Sequence, residues 1–161
     1  MVGASYRPTA KPWNVSCKTL DMIINTDSNP ILRVDFSEDN AWNKVKNLVK
    51  AGYDEIGLDD NIEFYSKIEF NNATAEQIIS SLSKDREWWF LLIADKETMT
   101  NSEHTILCVD LREELGRTFR VIPQQIIWVE SNLSILNMDF SDFYRATDSD
   151  GIFRGFPEGP F

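Results

Sequence analysis

The chain has 161 residues, of which 42% are hydrophobic and 26% charged, the composition of one globular domain with a substantial core and not of a disordered segment. Its formal net charge of −10 argues against nucleic-acid backbones and anionic membranes as partners, because both repel such a surface. No apolar run approaches the length of a membrane span, and the first residues lack a signal-peptide core, so a cytoplasmic location is expected.

Residues 1–30 read as an N-terminal extension, polar and broken by Pro8 and Pro12, with a short apolar piece, "LDMII". A single α/β domain is expected over 31–161. "ILRVDF" alternates apolar and polar side chains as a strand does. Ser37 is placed to cap a following helix, "EDNAWNKVKNLVKAG", whose Trp42, Val45, Leu48 and Val49 share one face and whose Gly52 reads as its stop. "IEFYSKIEF" reads as a second strand. Thr74 with Gln77 forms a capping box that opens "AEQIISSLSK". "EWWFLLIAD" is a continuous apolar run of strand length, and 96–104 reads as a polar loop. "TILCVDL" and "RTFRVI" are further strands joined by the hairpin-length "REELG". Pro123 suits a first helical turn, after which Ile126, Val129, Leu133 and Leu136 follow helical spacing. Asp139 or Asn137 is placed to cap a last helix, "FSDFYRAT". The intermixed elements predict a sandwich of helices packed on a mostly central mixed sheet that contains an antiparallel hairpin.

Chemistry-bearing motifs are few. Cys108 sits in an apolar strand run and reads as a buried, inert thiol, while Cys17 lies in the irregular N-terminal stretch. With His104 the lone histidine and no Cys-x-x-Cys motif or Cys/His cluster, no metal and no cofactor are expected. Asp35, Asp95 and Asp110 each follow an apolar strand. They would gather around Mg²⁺ only if their strands were parallel neighbours, and otherwise they end strands and start turns. Ser-His-Asp spacing, a P-loop and a GxGxxG turn are all missing.

Three arginines stand in apolar settings: Arg117 and Arg120 flank Phe119, and Arg154 follows Phe153. Their planar forks suit a carboxylate or phosphate, so they read either as a small anion cleft or as internal ion pairs with Asp110 or Asp139. His104, with its near-neutral titration, reads as a general acid or base or as a hydrogen-bonded structural residue. In "NLSILNMDF", Asn132 is expected to take the left-handed conformation at a helix end, and Asp139 to cap the next helix. Trp88, Trp89, Trp128 and Phe140 read as core or as the wall of a flat pocket.

The pieces "ILRVDFSEDNAW", "LLIADKETMTNSEHTILCVDL", "GRTFRVIP", "NLSILNMDFSDF" and "DGIFRGF", in this order over about 31–156, resemble an uncharacterised family of small stand-alone domains found mainly in actinobacteria and fungi. The resemblance implies a fold unit and no activity. It implies that polar residues belong at Asp35, Asp95, His104, Asp110, Arg117, Arg120, Asn132, Asn137, Asp139 and Arg154.

Three functions fit. The favoured one is a small-molecule-binding domain, with a cofactor-independent enzyme of isomerase, cyclase or lyase type as its catalytic form. His104 or Asp139 would move a proton, Arg117, Arg120, Arg154, Asn132 and Asn137 would hold the ligand, and aromatic side chains would shape the pocket. The second is an acidic interaction module of inhibitor or immunity type that covers a basic partner. The third is a structural role in which the extension embraces a second copy.

Overall fold

The computed structural model describes residues 24, 27–83 and 88–158. Most of the 1–30 extension, with Cys17, lies outside the described residues. Six apolar runs become strands: β1 (Asn29–Arg33), β2 (Ile62–Tyr65), β3 (Phe90–Ala94), β4 (Ile106–Asp110), β5 (Thr118–Val121) and β6 (Ile152–Phe153). They form one sheet in the order β2-β1-β3-β4-β5-β6. β1 runs parallel to β2 and β3, whereas β3, β4 and β5 are mutually antiparallel neighbours and β6 returns parallel to β5. The mixed α/β class and the 106–121 hairpin expected from the sequence are both present.

Helices cover both faces. α1 (Asp39–Ile56), α4 (Ile126–Ser134) and α5 (Phe140–Arg145) pack on the first. There Trp42, Val45 and Val49 of α1, Ile126 and Leu133 of α4, and Phe143 of α5 meet Ile31, Leu92, Phe119 and Phe153 of the sheet. On the second face α2 (Ala75–Ser81) and a 3-10 turn (Ile68–Phe70) set Ile78 and Phe70 against Leu32, Leu91, Ile93 and Val109. Ile24, fully buried, joins that second cluster. No helix among the described residues is long and apolar enough to cross a membrane.

Four local readings change. Gly52 is not the end of α1: the helix runs to Ile56 and stops at Gly57, which takes the left-handed conformation at φ 74°. Gly52 is there for space, because a Cβ on it would overlap the backbone carbonyl of Gln124, where the chain enters α4. Ser37 does not cap α1. Its amide and hydroxyl bond the Asp35 carboxylate, so the helix begins at Asp39 behind Glu38, which gives no side-chain cap. "IEFYSKIEF" is a strand only to Tyr65 and then turns to bury Phe70. The polar stretch 96–104 holds the short helix α3 (Lys96–Thr100), nucleated when Asp95 and Thr98 bond each other's amides at 3.1 Å. The Thr74–Gln77 capping box is present at the start of α2.

Candidate functional site

α4 places different chemistry on its two sides. Pro123 opens a 3-10 turn (Pro123–Gln125) that leads into the helix, and Ile126, Val129 and Leu133 then face the core. Glu130 shares that inward face, only 4% exposed. One of its oxygens accepts from Asn29 Nδ2 at 2.8 Å, Asn61 Nδ2 at 3.2 Å and Ser134 Oγ at 3.0 Å, and the other from the Tyr53 hydroxyl at 3.0 Å. The carboxylate therefore ties α4 to α1 and to the starts of β1 and β2 through neutral donors. Burial, and then Glu130, push the Tyr53 phenol well above its ordinary value.

The outward side carries Trp128, 44% exposed, and Asn132. Asn132 donates to the Trp128 carbonyl at 2.8 Å and accepts from Asn137 Nδ2 at 2.7 Å, while its own carbonyl accepts the Asn137 amide at 3.0 Å. The two asparagines thus fasten the end of the helix. Asn132 is still helical, so the left-handed residue is Leu136, at φ 57°, an unusual conformation for a bulky side chain. The chain then passes Met138 and reaches Asp139, the cap residue of α5, whose amide donates to the Asp142 carboxylate at 2.9 Å.

Beyond β6, Gly155 at φ 116° lets residues 154–158 run back along the α4 entrance. A Cβ there would press on the Gln125 side chain at 3.3 Å. Between this segment and α4 lies an open groove of about 580 Å³ lined by Gln125, Trp128, Asn132, Met138, Arg154, Gly155, Phe156, Pro157 and Glu158. Of the residues singled out in the sequence, Arg154, Asn132 and Trp128 meet here.

Arg154 arrives already paired, with partners other than the expected Asp139. Its Nε and Nη2 contact both oxygens of Glu103 at 2.8 Å, Nη1 contacts Asp148 at 2.7 Å, and Nη2 contacts Asp150 at 2.8 Å. These bonds raise the guanidinium's already high pKa and hold the Glu103 and Asp150 carboxyls below their usual range. Arg120 binds both oxygens of Asp95 and reaches Glu97 at 3.0 Å and the Thr105 carbonyl at 3.1 Å. Arg117 lies near Asp110 at 3.7 Å, Glu113 at 3.6 Å and Glu114 at 3.3 Å, over the Phe140 and Tyr144 rings. An anion approaching any of the three meets carboxylates already in place.

The other polar residues are spread through the fold. His104 is buried in a left-handed turn at φ 52°, its Nδ1 2.9 Å from the Thr98 carbonyl. Asp110, fully buried, organises the β4–β5 loop by accepting from the amides of Arg112, Glu113 and Glu114 at 2.8, 3.0 and 2.9 Å. It sits at the end of β4 opposite to Asp95, since β3 and β4 are antiparallel. Among the described residues no group of three or more His, Cys, Asp or Glu is arranged to hold a metal ion. Cys108 is a buried free thiol whose pKa burial pushes up.

The four aromatic residues do not form one wall. Phe140 packs on Phe119 with ring centroids 4.9 Å apart, and Trp89 lies against Arg112 at 4.5 Å. Trp88 lines a second hollow, of about 510 Å³, with Leu82, Leu111 and Leu115. Asp139 lines a pit of about 10 Å³, room for one water. Sequence reasoning missed Met138 and Phe156 as groove residues and Glu130 as a buried anchor. Glu130 had a readable signal: it falls on the 126–130–133 stripe of an otherwise apolar helix face.

The family model described as Domain of unknown function (DUF6924) matches residues 28–156. No curated protein matches the chain.

Proposed function

For a chain that belongs to the DUF6924 family of domains of unknown function, we propose a binding role, with the open groove between α4 and segment 154–158 as the ligand site. The observation that carries this reading is the convergence of Trp128, Met138 and Phe156 with Gln125, Asn132 and Arg154 around about 580 Å³, within the size range of ligand sites. Trp128 and Phe156, both in the lining, remain 44% and 40% exposed, although Phe156 also packs on Phe143 and Phe153 with ring centroids 5.4 and 5.0 Å away, so the groove presents partly exposed aromatic surface. Recognition is favoured over turnover because neither His104 nor Asp139 lines the groove, and the arginine that does is engaged by three carboxylates.

The test is an amide-resolved NMR titration with a fragment set of neutral aromatic, anionic and cationic members. Hits are expected to shift the Trp128 indole, Asn132 and Gly155 signals together, and Trp128→Ala is expected to abolish them. Hits that map instead to the hollow at Leu82 and Leu115, or the absence of any hit, would remove the groove as the site.

A further inference from the structure

We infer that the groove's occupant is a basic amphipathic polypeptide segment, with one apolar or aromatic side chain lodged on Trp128, Met138 and Phe156 and flanking lysines or arginines facing the carboxylates around Arg154. This rests on the groove being the binding site and adds the class of its ligand.

Charge complementarity is the first support. Arg154 is the guanidinium in the lining, and Glu103, Asp148 and Asp150 surround it while Glu158 lines the groove itself. Four carboxylates outnumber Arg154 and Lys44, which shares a neighbouring hollow with Glu103, and leave a negative surplus at this end, within a chain of net charge −10. The Glu103, Asp148 and Asp150 side chains are 41%, 59% and 49% exposed, so each keeps acceptor positions turned to water and able to take a second cation. A phosphate or carboxylate ligand would meet that surplus before it met the guanidinium. A lysine or arginine gains from both the carboxylates and the Trp128 face.

The extent of the surface is the second support. The chain between the lining residues Asn132 and Met138 displays Ile135, 75% exposed, and Leu136, 46% exposed, the latter in its strained backbone conformation. The apolar surface therefore continues past the groove, further than a compact small molecule would cover. An extended or helical segment with apolar side chains on one side and basic ones beside them fits both features.

The experiment is selection of dodecapeptides from a charge-unbiased displayed library on the full-length protein, counter-selected on Trp128→Ala. Calorimetry on the selected peptides at low and high salt follows, with tryptamine as a small aromatic cation for comparison. The expected result is enrichment of Lys and Arg beside aromatic or aliphatic residues. Affinity should fall at least about ten-fold between 50 and 300 mM salt. The Asp148→Asn/Asp150→Asn double variant, checked for an unchanged circular dichroism spectrum, should bind more weakly and with a shallower salt dependence. Acidic or charge-neutral winners would overturn the inference while leaving the groove reading intact, provided Trp128→Ala still abolishes binding. Tryptamine binding as tightly as the best peptide would overturn it in favour of a small cation. If no peptide is selected while NMR fragments still bind, this inference alone falls. If fragments also fail, the groove reading falls with it.

Discussion

The two sides of α4 solve the same problem in opposite ways. Inward, Glu130 brings a carboxylate into the core and satisfies it with two asparagines, a serine and a tyrosine; among the described residues no cation pairs with it. Outward, beyond Trp128 and Asn132, Arg154 brings a cation to a half-exposed position and receives three carboxylates. The inner constellation is closed around a buried carboxylate, with Asn29 Nδ2 also bonding Ser134 Oγ at 2.9 Å, and its removal leaves the buried Tyr53 hydroxyl without that partner. The outer constellation is over-supplied with one sign of charge and open to water. A polar cluster that is saturated and buried holds the fold, whereas one that carries surplus charge beside partly exposed aromatic rings has something left for another molecule.

The largest test of that contrast is Glu130→Ala. It strips the acceptor from the buried Tyr53 hydroxyl and one acceptor each from half-buried Asn29 and exposed Asn61, empties the space of a buried side chain, and about 3 kcal/mol of stability should be lost. For a chain of this length that is roughly a 10 °C fall in melting temperature. Binding per folded molecule should be unchanged. A loss below about 1 kcal/mol would mean that water serves those donors equally well, and the inner cluster would no longer differ from the outer one.

Gly52→Ala follows at about 2 kcal/mol, from overlap with the Gln124 backbone where α1 braces the entrance of α4. Its companion Gly57→Ala costs backbone strain alone, about 1 kcal/mol, because nothing lies within 4 Å of the added methyl. Equal losses at the two glycines, read from urea midpoints, would show that close approach at Gly52 is not what selects glycine there.

Tyr53→Phe is expected to cost about 1.5 kcal/mol, one hydrogen bond to a charged group, and to alter the alkaline limb of stability. The folded phenol titrates far above its ordinary value of 10.0 because of burial and Glu130. Its contribution is therefore complete below about pH 10 and declines above it, as the unfolded phenol ionises and the folded one does not. The phenylalanine variant should lose that decline. An unchanged alkaline limb would assign it to other groups.

Trp128→Ala belongs at the other extreme, with a stability change of about 1 kcal/mol or less for a side chain that is 44% exposed, and complete loss of ligand response. If it destabilised as much as Glu130→Ala, the outer side of α4 would be core after all, and the groove an incidental fold of the surface.

Much of this architecture is legible in the sequence, and the failures have causes. Strand runs such as "FLLIA" and "ILCVD" announce themselves because burial on both faces demands continuous apolar residues. Helix starts at Thr74 and Asp139 are readable because capping is local chemistry within four residues. Gly52 reads as a helix stop because what it makes room for, Gln124, lies some seventy residues away and leaves no local trace. The arginines were legible as ion-pair residues in kind, while most of their partners were not. The sequence offers Asp110 or Asp139 as a partner for one of the three arginines, and Arg117 lies near Asp110; Glu103 reaches Arg154 only because β5 joins β4 to β6, pairing Ile106 with Val121 and Val121 with Phe153. The sequence groups Arg154 with Asn132 among the residues to hold a ligand, and marks Trp128 separately as an aromatic. That Trp128 joins them in one groove depends on Gly155 turning residues 154–158 back along Gln125, which no periodicity encodes.

The smallest effect is also the one that separates the two constellations by pH. Glu103 and Asp150 have ordinary values of 4.5 and 3.8, and hydrogen bonds from Arg154 lower both in the folded protein. A carboxyl lowered on folding stabilises fully above its unfolded value, and that contribution is lost as pH falls through the folded one. The stabilising effect of Arg154 should therefore be complete above about pH 5 and fade progressively below about pH 4. Because these carboxylates are exposed, solvent screening keeps the effect modest. In melting curves of the wild type and Arg154→Gln, the gap between the two should be widest near neutrality and close as acid is added. High salt should shrink it at any pH, since screened pairs weaken and buried networks do not. Glu130→Ala should show the reverse insensitivity, its deficit little changed by salt. A gap at Arg154 that survived both acid and salt would mean that the guanidinium is held by packing, and the carboxylates around it would then be free to meet an incoming lysine or arginine with still less competition.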